Sequence, residues 1–248
     1  MRQYTVKPND TLYSIAKEFN VPLAQLIKAN PQIENPNLIY EGQTVMIPDL
    51  PAVPAQLSAI ESNALNIIED IIMGDWDTAF NRINTIRTDM SALIPMLQDA
   101  QVPGNLIREM NMAIRILEQN ILQRRTFPAI SQANQITYII ANMLDYFSVI
   151  IPTDVRRMAY FARQIIMNVE QNDWDEARRN YQRIVATWQK IRPDLVQDYA
   201  KDVADLDQVL NSLGTSMDRR DYQSAINNSV RILEILSSIA ADFEQMYT

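Results

Sequence analysis

The chain is expected to be α-dominated: a small βααβ module followed by two duplicated four-helix bundles, made from four antiparallel helical hairpins. Three observations lead there. Only four glycines occur in 248 residues while 47% of the side chains are apolar, which favours helices with real cores over turn-rich sheet. Two long stretches repeat apolar residues in alternating steps of three and four. Segments 95 to 98 residues apart also match one another.

The first fifty residues read as strand, helix, helix, strand. Tyr4-Thr5-Val6 predicts a short strand. Thr11 can cap a helix with Leu12, Ile15, Ala16 and Phe19 on one apolar side. Pro22 opens a second short helix through Leu23, Leu26 and Ile27, and Asn30-Pro31 stops it. A polar loop through Asn35-Pro36-Asn37 and a turn at Glu41-Gly42 lead into the strand Thr44–Ile47.

The stretches YTVKPNDTLYSIAKEFNV, LIKANPQI and NPNLIYEGQTVMIP together resemble a LysM domain, covering residues 1–48. The last of them is similar to LysM modules of bacterial spore-coat and spore-envelope proteins. The resemblance implies a shallow glycan groove between two loops. On this chain those loops supply Asn9, Asp10, Thr11 and Leu12 on one side. The other side would be Asn30, Pro31, Gln32 and Ile33, continuing to Leu38, Ile39 and Tyr40. Backbone amides there would bind N-acetyl groups, with Leu12, Ile33 and Ile39 as an apolar floor. Three positions depart from the family pattern. Asn9 stands where glycine is usual, and asparagine tolerates positive φ best among the rest. Pro22 replaces a serine or threonine cap, and Glu41 replaces a proline. One such module binds weakly, so self-association would supply avidity.

Residues 49–54 form a short, stiff, proline-rich linker. Helices are then predicted at 55–73, 76–98, 104–125, 127–148, 153–171, 174–191, 195–217 and 222–246. Trp76, Ala79, Ile83, Ile86, Met90, Leu93 and Leu97 form one apolar stripe. Trp174, Ala177, Tyr181, Ile184, Trp188, Ile191 and Leu195 repeat its spacing. Gly74-Asp75-Trp76 lines up with Asn172-Asp173-Trp174 at a separation of 98, Arg124 with Arg219 at 95, and Phe147 with Phe243 at 96. Bundles at 55–150 and 151–248 follow, with Ile151-Pro152-Thr153 as a hinge; a continuous solenoid-like stack is the competing architecture.

The aspartates flanking Trp76 and Trp174 could be drawn as metal ligands, but helix capping explains them more simply. Asp75, Thr126, Asp173 and Asp221 are expected caps, Asp173 with Glu176 as a capping box. Trp76, Phe127, Trp174 and Tyr222 are expected to plug the bundle ends, and Arg124-Arg125 and Arg219-Arg220 to serve terminal carbonyls. Glu109, Glu118, Asp145, Glu170, Asp205 and Glu234 could supply a di-iron bundle only with histidine partners.

Histidine and cysteine are both absent, which removes disulfides, thiol and histidine-based nucleophilic catalysis, and ordinary zinc sites. The formal charge of −8 argues against nucleic acid as the main partner. No stretch is long and apolar enough for a membrane span, and the N-terminus shows no secretion signal.

The expectation is therefore a non-enzymatic anchor on peptidoglycan or a related N-acetylglucosamine glycan. No catalytic residue, metal or cofactor is expected. The bundles would act as spacer or docking unit, through a protein partner or self-association. The setting would be the bacterial spore envelope or cell wall, with the cytoplasm as alternative. A LysM-tethered wall hydrolase or modifying enzyme and a helical small-ligand binder are the competing functions.

Overall fold

The computed structural model describes residues 1–196 and 199–245, and of Asp194, Glu244 and Gln245 it describes the backbone only. Strands β1 (Arg2–Thr5) and β2 (Thr44–Ile47) pair antiparallel, from Arg2 opposite Ile47 to Thr5 opposite Thr44. Between them lie α1 (Leu12–Glu18) and α2 (Leu23–Lys28). Thr11 and Ser14 cap α1 reciprocally, each side chain accepting the other's amide at 3.0 Å. Asn9 and Gly42 take positive φ, 68° and 81°, in the turns that face each other across the strand pair. Val6, Ile15, Leu26, Val45 and Ile47 form the small core.

The remaining chain is helical: α3 (Ala55–Ile72), α4 (Trp76–Asp99), α5 (Gly104–Leu122), α6 (Thr126–Leu144), α7 (Thr153–Glu170), α8 (Trp174–Leu195), α9 (Ala200–Arg219) and α10 (Tyr222–Gln245). Helices α3 to α6 pack in a ring, each on the next and α3 back on α6. Helices α7 to α10 do the same, and α6 lies against α7. Both predicted stripes face these cores; only Trp76 and Tyr181 are partly exposed. The predicted helix 195–217 starts later, at Ala200; Gln197 and Asp198 lie outside the described residues, as does position 246 of the last predicted helix.

The internal repeat is carried by the hairpin turns. Gly74, Arg124, Asn172 and Arg220 each adopt left-handed backbone, at φ of 79°, 51°, 59° and 51°. In each turn the following amide reaches back five residues: Asp75 to Asp70, Arg125 to Asn120, Asp173 to Asn168, and Asp221 to Ser216, at 2.8 to 3.0 Å. Arg124 therefore corresponds to Arg220, not Arg219. The separation becomes 96, the same as between the buried Phe147 and Phe243.

Asp75, Asp173 and Asp221 cap their helices by accepting the amides of Thr78, Glu176 and Ser224 at 3.0 to 3.1 Å. Two capping expectations are corrected. Thr126 is the first residue of α6, behind an Arg125 N-cap that offers no side-chain bond. Glu176 does not close a capping box, because its carboxylate pairs with Arg179 and Arg183. The aromatic plugs are corrected as well. Trp174 is buried, its indole donating to Asn172 at 2.8 Å, but Phe127 and Tyr222 lie 40% and 49% exposed.

Neither joint is loose. The linker residue Ala52 bridges to Ser148, whose amide donates to Pro51 at 2.8 Å. At the 151–153 joint, Thr153 donates to Asp145 at 2.7 Å. Arg157 pairs with both Asp145 and Asp154 across the same bend.

Candidate functional site

A groove of about 490 Å³ crosses the N-terminal module. Asp10, Thr11, Leu12 and Tyr13 at the start of α1 form one wall, and Pro36, Asn37, Leu38 and Ile39 form the other. Leu23 and Ile27 of α2 make the floor. Asp10 holds the first loop in shape, accepting the Lys7 amide at 2.7 Å and the Tyr4 hydroxyl at 2.9 Å. Burial and that acid push the Tyr4 hydroxyl above its ordinary range, so it stays a donor.

The structure brings together Asp10, Thr11, Leu12, Leu38 and Ile39 from the residues expected to bind. Asn9, Pro31, Gln32 and Tyr40 are exposed but do not line the groove, though Tyr40 stands 65% exposed on the loop that does. Asn30 and Ile33 are corrected. Asn30 is fully buried, its amide nitrogen donating to the Leu26 and Met46 carbonyls and its oxygen accepting from Met46 and Gln32. It locks the second loop to β2 and has no polar atom left for a ligand. Ile33 lies in the core beneath.

The backbone amides are also largely committed. Those of Asp10, Thr11, Asn37, Leu38 and Tyr40 donate to Lys7, Ser14, Asn35, Asn35 and Gln43 respectively. The amide of Leu12 sits in the first turn of α1, where no preceding helical carbonyl can accept it.

Sequence reasoning missed part of the site. Lys190 and Pro193 of α8 also line the groove, so the second bundle supplies one edge of it. No periodic or motif signal marks them, since they come within reach only when the module docks.

Residues 4–48 match the family model of the LysM domain. The N-terminal module is a LysM domain. Such a domain implies binding to N-acetylglucosamine-containing glycans of the peptidoglycan or chitin type. Among curated proteins, the secreted LysM effector ECP6 of Passalora fulva is 47% identical over 49 residues, 20% of this chain and 22% of that protein. The endolysins of Bacillus phages PZA and B103 are 47% and 44% identical over 45 residues, 18% of this chain and 17% of each endolysin. The chain thus spans about a fifth of the length of the relatives it matches. No solved structure matches it. The helical remainder beyond the LysM domain is unrecognised.

Elsewhere, a cleft of about 490 Å³ lies between α3, α7 and α10, with Glu61, Arg156 and Arg163 among its lining. Burial lowers the Arg163 guanidinium to about 10, while it donates to Asn134 and Thr137. Among the described residues, no group of three acids could hold a metal ion and no helix is long and apolar enough to cross a membrane. Four of the six acids named for a di-iron centre are in ion pairs: Glu118 with Arg87, Asp145 with Arg157, and Glu234 and Asp205 with Arg231.

Proposed function

We propose that this chain is a non-enzymatic peptidoglycan-binding anchor whose LysM domain holds a double helical bundle at a bacterial spore or cell envelope. The observation that carries the reading is the open groove of the LysM domain, which remains accessible although Tyr13 and Leu23 beside it pack on the second bundle. A wall-bound body held in fixed orientation suits a spacer or docking unit better than a flexibly tethered one.

The end of the first bundle supports a protein partner or a second copy. Ile72, Met73, Leu122 and Phe127 are 69%, 82%, 64% and 40% exposed, at the two neighbouring hairpin turns of that bundle. The spore setting rests on the resemblance of NPNLIYEGQTVMIP to spore-type LysM modules.

The endolysin relatives favour a rival reading, a wall hydrolase. Against it, the acids beside the groove are engaged: Asp10 by Tyr4 and Lys7, and Asp154 by Arg157 and Lys190. Asp145 is the acid that burial pushes above the ordinary carboxylate range, and Thr153 and Arg157 hold it.

Co-sedimentation with spore cortex, vegetative peptidoglycan and chitin tests the reading, comparing the full chain with its Ile39→Asp variant. Retention lost in the variant, with no glycan released into the supernatant, is expected. Released glycan would establish the hydrolase, and no retention on any polymer would remove the anchor.

A further inference from the structure

The groove does not end at the LysM domain. Helix α1 packs against α8, and Lys190 and Pro193 continue the wall begun by Tyr13. Pro193 sits inside α8 and presents an apolar ring. Lacking an amide hydrogen, it leaves the Gln189 carbonyl one turn back without its helical donor. Lys190 is 48% exposed, and its ammonium donates to Asp154 at 2.9 Å. A lysine has three donors, so this bond leaves two for a ligand.

At its α8 edge the groove presents a cation, Lys190. Lys17, Arg157 and Lys190 line the small cavity beside the groove together with Asp154, and Asp145 pairs with Arg157 behind them. Asp154 is only 15% exposed and already receives Arg157, so the solvent-facing partner at the groove is the cation. A neutral sugar has no use for it. A carboxylate does.

We propose that α8 completes the glycan site and that Lys190 receives a carboxylate of the bound strand. The chain would then prefer acid-bearing glycan, of the peptidoglycan kind with its peptide stems, over neutral chitin. This rests on the glycan-binding reading above and adds the ligand class.

Calorimetric titration of the full chain with chitohexaose and with soluble peptidoglycan strands that retain their stems tests it, using the wild type, Lys190→Gln and Lys190→Arg. The wild type is expected to bind the stem-bearing strand more tightly. Lys190→Gln should weaken that strand about three- to tenfold and leave chitohexaose unchanged, with Lys190→Arg restoring most of the loss. Added salt should narrow the difference between the ligands. If Lys190→Gln changes neither affinity, or lowers both alike, the proposal is overturned while glycan binding stands. If the wild type binds neither ligand, the glycan reading itself falls, and this inference with it.

Discussion

The carbonyl of Asn20, just past α1 of the LysM domain, accepts the amide of Val149 in the turn between the two bundles at 3.0 Å. The Ser148 hydroxyl donates to the same oxygen at 2.9 Å. Tyr13 enters the core of the second bundle, and the Lys17 ammonium lies 5.2 Å from the ring centroids of both Tyr199 and Phe243. The LysM domain is therefore seated on the second bundle and on the turn that joins the two bundles. A single melting transition is expected for the LysM domain and the helices. Ser148→Ala should lower it as a whole by about 1 kcal/mol. Two resolved transitions in calorimetry, with only one shifted, would contradict the docking.

Gly214 sits inside α9 because of Tyr181 on α8. A methyl group at Gly214 would lie 2.5 Å from the Tyr181 oxygen and 3.1 Å from the ring carbon that bears it. Alanine ordinarily gains about 1 kcal/mol over glycine in a helix interior. Here Gly214→Ala is expected to destabilise by about 1–2 kcal/mol instead, because the ring must move within a packed interface. Adding Tyr181→Phe should recover part of that loss in urea denaturation. An independent, additive pair would show that the clash is not the cause.

Arg124 and Arg220 hold left-handed backbone that suits glycine, which stands at the corresponding position 74. Arg220→Gly and Arg124→Gly should each stabilise by about 0.5–1 kcal/mol. Thermal melts read this directly. A loss of stability would mean that the arginine side chains contribute more than the turn strain they cause.

Asp207 accepts two nitrogens of Arg192 and the indole of Trp188 at 2.7 to 3.0 Å. The Arg192 bonds hold its carboxyl below the ordinary value of 3.8. The native state thus binds this proton less readily than the unfolded chain does. Its contribution is complete above the unfolded pKa and fades as pH falls through the lower native one. Asp75, held down by the Thr78 amide, and Asp221, by Ser224, act with the same sign. Asp145, raised by burial, acts with the opposite sign. The stability gap between wild type and Asp207→Asn should therefore shrink between about pH 7 and about pH 3 in urea titrations. A constant gap would show that the ion pair does not set it.

Local chemistry made most of the elements legible in advance. The apolar stripe from Ala79 to Leu97 is buried throughout, since a 3-4 period needs only the helix itself to line up. Asp75, Asp173 and Asp221 announced their helix starts because a cap is a contact across three residues. Phe127 and Tyr222 misled for the complementary reason. Recurrence in sequence marks an equivalent turn, while burial depends on what the neighbouring hairpin places there. Trp174 finds cover, while Phe127 and Tyr222 do not.

In the candidate site, the loops around Leu12 and Ile39 were legible from the LysM motifs, whereas the role of Asn30 was not. A loop asparagine reads as available until the fold supplies Leu26 and Met46 to consume it.

The sequence by itself determined the helical hairpins, their turns and the LysM domain, because periodicity, caps and motif spacing act over a few residues. Tertiary structure alone decided how that domain is seated and that Lys190, on α8, stands at the edge of a groove opened by Asp10 and Leu12. Those residues are distant along the chain and share no periodic pattern, so only packing puts them together.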